Sequence, residues 1–134
     1  MVRFLVIGDF DGKLNKKLID KVKKFEFDAI LALGDYGGSD KIKQIIFKNW
    51  GADWKKIAGK KRSEQLLNQD YKESLRILKW LNSFEKPIFF IFGNNDQYKE
   101  SKDKDIGGGK RNLMNQFKKL KYLRYIHGKS VNFN

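Results

Sequence analysis

The chain has 134 residues, enough for one compact domain and hardly for two. It carries 29 Lys and Arg against 16 Asp and Glu, a formal charge of +13, and no cysteine, which excludes disulfides, thiolate metal sites and thiol catalysis. The N-terminal apolar run, residues 4–7, is far too short for a signal peptide or a membrane span, so the expected compartment is the cytoplasm. The positive balance draws polyanions. A solvated lysine-rich surface explains it equally well, because the lysines are spread along the chain rather than gathered in one arginine-rich stripe.

Residues 3–8, RFLVIG, read as a first strand. Residues 13–25 read as a helix, with Leu14, Leu18, Val22 and Phe25 at helical spacing. The near-continuous apolar character of residues 28–34 suits a strand covered on both faces of a parallel sheet, and the three elements together form a βαβ unit. Residues 37–68 read as an insertion. Ile42, Ile45 and Ile46 mark a short helix, Trp50 and Trp54 bracket a break, and residues 55–62 are basic without a clear pattern. The tryptophans either stack on a base or cover an edge of the core, and the core is the expectation.

Residues 66–84 give the strongest helical pattern, with Leu67, Tyr71, Ser74, Leu75, Leu78 and Leu81 on one face. Pro87 then opens a third strand over residues 88–92. Residues 98–109 read as a polar loop whose triple glycine lacks the strand and the Gly-Lys-Ser/Thr of a phosphate-binding loop. A short helix over 112–120, a fourth strand over 122–126 and the start of another at 130–133 complete the chain. The class is α/β, a mostly parallel sheet flanked by helices, in one domain spanning residues 1–134.

Three of these strands end in the same way. Gly8 leads into Asp9-Phe10-Asp11-Gly12, Gly34 into Asp35-Tyr36-Gly37-Gly38, and Gly93 into Asn94-Asn95-Asp96. In a parallel sheet all three tips fall on the carboxyl edge, where ligands bind in open α/β folds. Single turns of this kind are commonplace, and Asp35 has the alternative role of capping the next helix. Four carboxylates on one edge, however, repel unless something positive lies among them. Lys13 and Lys99 flank the tips and none lies inside them, so a divalent cation is the better expectation. Oxygen-only donors favour Mg²⁺ or Mn²⁺ over zinc.

The sequence Gly8-Asp9-x-Asp11, then Gly34-Asp35, then Gly93-Asn94-Asn95-Asp96 resembles the calcineurin-like metallophosphoesterases, which carry Asp-x-His, Gly-Asp and Gly-Asn-His-Asp/Glu at successive strand ends. The resemblance covers nearly the whole chain but only the first half of that family's four-layer α/β-β/α sandwich. It implies two divalent ions, Mn²⁺ or Mg²⁺, held by Asp9, Asp11, Asp35 and Asn94, with Asp35 bridging. It also implies a metal-activated water attacking a phosphomonoester or phosphodiester, with Asn95 and Asp96 at the catalytic end of the third motif. A nucleotide or nucleic acid would suit the charge as substrate.

The departures are specific. Asp11 replaces a histidine ligand, and Asn95 replaces the histidine that assists the leaving group. An amide donates a hydrogen bond but delivers no proton at neutral pH, a loss of about 10²- to 10⁴-fold. The later histidine motifs have no counterpart, because His127 is the only histidine and a single histidine at a strand end reads as structural. The second metal site is therefore in doubt, and the chain reads as a C-terminally shortened domain. Such a half-sandwich invites a homodimer or a separate C-terminal half. The alternative function is a catalytically degenerate relative that binds nucleic acid or protein. A minor alternative is a haloacid-dehalogenase-like phosphatase with Asp9 as nucleophile and Asp11 as acid. A Rossmann reading fails for want of Gly-x-Gly-x-x-Gly.

Overall fold

The computed structural model describes residues 1–97 and 111–128. The expected loop over 98–109 and the expected last strand over 130–133 lie outside the described residues. Among the described residues four strands, β1 (Phe4–Ile7), β2 (Ala29–Ala32), β3 (Ile88–Phe90) and β4 (Leu123–Tyr125), form one sheet in the order β1-β2-β3-β4. All three pairings are parallel, with Leu5, Ile30, Ile88 and Leu123 in one row across the sheet. Parallel neighbours bring every strand's C-terminal end to the same edge, which is the arrangement the three motifs require.

Among the described residues five helices connect them: α1 (Lys16–Val22), α2 (Asp40–Lys48), α3 (Trp54–Ala58), α4 (Lys60–Asn82) and α5 (Leu113–Phe117). Asn15 caps α1, its side-chain oxygen accepting the Leu18 N–H at 2.8 Å, so the helix starts later than the apolar spacing alone predicts. The insertion supplies α2 as expected and a further short helix, α3, capped by Asp53. α4 is longer than expected, since Lys60 to Asn82 is one continuous helix beginning inside the basic stretch. Its buried side runs through Leu66, Asp70, Ser74, Ile77, Leu78 and Leu81, so the inward face is turned by about one residue from the one read off Leu67, Tyr71 and Leu75.

The core lies on one face of the sheet. Ile30, Ala32, Ile88, Phe90 and Leu123 pack there with Val22 of α1, Ile77, Leu78 and Leu81 of α4, and Leu113 of α5. The period of two puts Phe4, Val6, Leu31, Phe89 and Arg124 on the opposite face. That face is less covered at its β1 edge, where Val6 is 57% exposed. Trp50 corrects the expectation of a core role, being 79% exposed, while Trp54 is half-buried. Among the described residues no helix is long and apolar enough to cross a membrane.

Candidate functional site

The first two tips share a local design. Phe10 and Tyr36 turn inward, both buried, and their rings stack with centroids 5.8 Å apart. The Tyr36 hydroxyl lies 3.0 Å from the Ile91 carbonyl and 3.2 Å from that of Ala32, and burial pushes its pKa up. The flanking acids Asp9, Asp11 and Asp35 take the left-handed backbone, with φ of 51°, 50° and 53°. Aspartate tolerates this conformation better than most residues, yet three instances in two short turns store strain. Strain of this kind gathers at functional sites. The effect is to anchor each aromatic in the core while its acidic neighbours stay at the rim.

The backbone then ties the tips together. The Asp9 N–H donates to Gly34 O at 3.2 Å, Asp11 N–H to Asp35 O at 3.0 Å, and Gly12 N–H to Tyr36 O at 2.9 Å. The third tip joins through side chains. Asp35 Oδ1 accepts the Asn95 N–H at 3.1 Å. Asp96 is buried, and its carboxylate accepts three backbone N–H groups: Asp35 at 2.9 Å, Gly93 at 2.8 Å and Gly37 at 2.9 Å. Its pKa is pushed up to about 6, first by burial and further by the charge of Asp35, against the pull of those hydrogen bonds. Glycine is required at this junction. A Cβ on Gly93 would stand 2.6 Å from Asp35 N, and one on Gly38 would stand 2.9 Å from Asp11 Oδ1 and 3.5 Å from Asn95 Cβ. Tips one and three thus face each other across Gly38.

The remaining expected site residues fall around this junction. Asp9 and Asn94 are exposed, and Asp11, Asp35 and Asn95 are half-buried. His127 follows the C-terminal end of β4, its ring stacked on Tyr125 with centroids 6.1 Å apart. Asp35 does not cap α2, whose N-cap is Ser39.

Two residues not among the expected site residues also enter. Lys43 of α2 sets its ammonium 2.5 Å from Asp11 Oδ1, which corrects the expectation that no lysine reaches the tips. A second pair, Lys13 Nζ to Asp40 Oδ2 at 2.7 Å, ties the same loop to the start of α2, and its hydrogen bond holds the Asp40 carboxyl below its ordinary range. Asp70 of α4 is the other newcomer. It is buried, accepts N–H groups from Gly38 at 2.8 Å and Ser39 at 3.0 Å, and takes the Gln97 side-chain amide at 2.8 Å. Its signal was its place between Leu66 and Ser74 on the inward side of α4.

Two clefts open beside the tips, and Asp11 and Lys13 line both. One, of about 450 Å³, is walled by Asn15, Asp70, Glu73 and Arg76, and the other, of about 330 Å³, by Gly8, Asp9, Phe10 and Leu18. Among the described residues no three His, Cys, Asp or Glu side chains are grouped so as to hold a metal ion.

No curated protein and no solved structure gives a match to this chain. The family comparison is decisive where those are silent: the model of the calcineurin-like phosphoesterases matches residues 2–133, a span that contains all three strand tips. The chain belongs to the calcineurin-like phosphoesterases.

Proposed function

We propose that this chain is a divalent-cation-dependent phosphoesterase that hydrolyses a phosphomonoester or phosphodiester at the edge where β1, β2 and β3 end. The observation that carries this reading is the knitting of three acid- and amide-bearing tips into one junction, through Asp9 N–H to Gly34 O and Asn95 N–H to Asp35 Oδ1. The donor chemistry fits a hard cation, because every candidate ligand offers oxygen. Lys43 already neutralises Asp11, so that carboxylate is not needed as a ligand. The fit is to a lean site of Asp9, Asp35 and the Asn94 amide oxygen, with Asp11 neutralised by Lys43, rather than to a two-ion centre. Mn²⁺ or Mg²⁺ are the candidates.

When bound, such an ion supplies Lewis acidity for a phosphoryl oxygen and for the attacking water. The chain's own groups do the rest. Asp96 serves as a positioning residue, since its carboxylate fixes the backbone of Asp35, Gly37 and Gly93 together. The Asn95 side-chain amide donates a hydrogen bond to a phosphoryl oxygen, and Lys43 adds positive charge beside it. Asn95 supplies no proton to the leaving group, so substrates with good leaving groups are favoured.

The test is hydrolysis of bis(4-nitrophenyl) phosphate with Mn²⁺. Turnover abolished by EDTA and lowered about 100-fold or more in Asp35→Asn is expected; turnover unchanged by EDTA would sink the reading. A second reading, a phosphoester-binding relative without turnover, is favoured by the Asp11–Lys43 pair and by the lack of a three-acid group among the described residues. The same assay separates the two, because that relative leaves the substrate intact at every metal concentration.

A further inference from the structure

We propose that the surface formed by α2 and α3 is a stacking platform for single-stranded nucleic acid. The platform goes beyond the phosphoesterase reading and does not depend on it. Its centre is Phe47 and Trp50, which are 68% and 79% exposed. Their rings are stacked with planes within 1° of parallel and centroids 6.1 Å apart. Two large aromatic rings held parallel in solvent, rather than buried, present flat faces on which an unpaired base stacks.

The surroundings supply the charge that a nucleic-acid backbone needs. Residues 41–62 contain eight Lys and Arg against a single acid, Asp53. Lys48, Lys55, Lys56, Lys60, Lys61 and Arg62 are all exposed. The stretch is therefore far more basic than the chain as a whole, and the aromatic pair sits inside it. Aromatic rings for bases and lysines for phosphates are the two components of sequence-tolerant single-strand binding.

The geometry also gives the strand a direction. Lys43 and Phe47 are four residues apart on α2, so they share one side of the helix about 6 Å apart along its axis. Lys43 holds Asp11 at the strand tips. A chain stacked on Phe47 and Trp50 is led along this side toward the tips.

Other occupants suit the surface less. A protein interface core is depleted in lysine. A membrane-surface helix needs a broad exposed apolar side, whereas Ile42, Ile45 and Ile46 of α2 are half-buried. Phe47 and Trp50, with Ile57 at 48% exposure, are what the surface offers instead.

The experiment is fluorescence anisotropy of a labelled oligothymidylate of about 16 nucleotides, a length within the range of single-strand site sizes. EDTA is present throughout, so failure of hydrolysis and failure of binding are read separately. The wild type is expected to bind the oligonucleotide in preference to a duplex of equal length, with affinity falling as salt rises. The double substitution Phe47→Ala with Trp50→Ala is expected to weaken binding about 10-fold or more. Trp50→Phe keeps a ring and retains most of the affinity, and circular dichroism shows whether each variant is folded. Absence of oligonucleotide binding, equal binding by the folded double variant, or preference for the duplex overturns the proposal. Capture by phosphatidylserine–phosphatidylcholine vesicles that is lost in the double variant, with oligonucleotide binding unchanged, assigns the rings to a membrane surface and overturns it as well.

Discussion

Gly93→Ala is expected to be the most damaging single substitution at the site. The added methyl would lie 2.6 Å from Asp35 N and 2.7 Å from Asp35 Cγ, both far inside contact distance. Neither obstacle is the free end of a long side chain. One is backbone, and the other is a carboxylate held by the Asn95 N–H. Gly34 closes the same gap from the other side, since a Cβ there would lie 2.9 Å from Gly93 Cα. The second and third tips must therefore separate. The cost is about 3 kcal/mol or more, a large part of the stability of a domain of this size. Thermal unfolding followed by circular dichroism is expected to fall by roughly 10 °C or more. A variant that unfolds at the wild-type temperature would show that the two tips do not approach as closely as described.

Asp96→Ala is the second. It removes the acceptor of the N–H groups of Asp35, Gly37 and Gly93, which then sit near the protein interior without a partner. Each costs about 1–3 kcal/mol when left unsatisfied, so a total of about 3 kcal/mol or more is expected from urea unfolding. Asp96→Asn keeps one oxygen for the Asp35 and Gly93 donors and turns an NH₂ toward Gly37, so it loses less.

The same carboxylate sets a pH dependence. Its pKa rises from 3.8 to about 6 on folding, so between these values the native state binds more protons than the unfolded one. Stability from this group is fullest below pH about 4, falls as pH rises to about 6, and levels off above. Unfolding in EDTA across that window is expected to show the fall in the wild type and not in Asp96→Asn. Equal pH profiles for the two proteins would contradict this.

The tips were legible in the sequence because their signals are local. An apolar run, a glycine and an acid stand within a few residues of one another, and the parallel sheet brings the three copies to one edge. Lys43 and Asp70 were not legible, since each reaches the site from a helix. Asp70 depends on the rotation of α4, which a shift of one residue in the apolar pattern misplaces, and Lys43 on how α2 lies beside the Asp11 loop. Trp50 failed for a related reason. Tryptophan is usually buried in part, and no local pattern shows that Phe47 and Trp50 are left exposed. The left-handed φ of Asp9, Asp11 and Asp35 also belongs to tertiary structure, because it follows from anchoring Phe10 and Tyr36 in the core.

Asp9, Asp35 and Asn94 are proposed to attract a divalent cation together. The most direct measurement is calorimetric titration of Mn²⁺ into the wild type and into Asp35→Asn, with both proteins first shown to unfold alike in EDTA. Saturable heat in the wild type that vanishes in the variant is predicted. No heat in either protein, or the same isotherm in both, would contradict the claim.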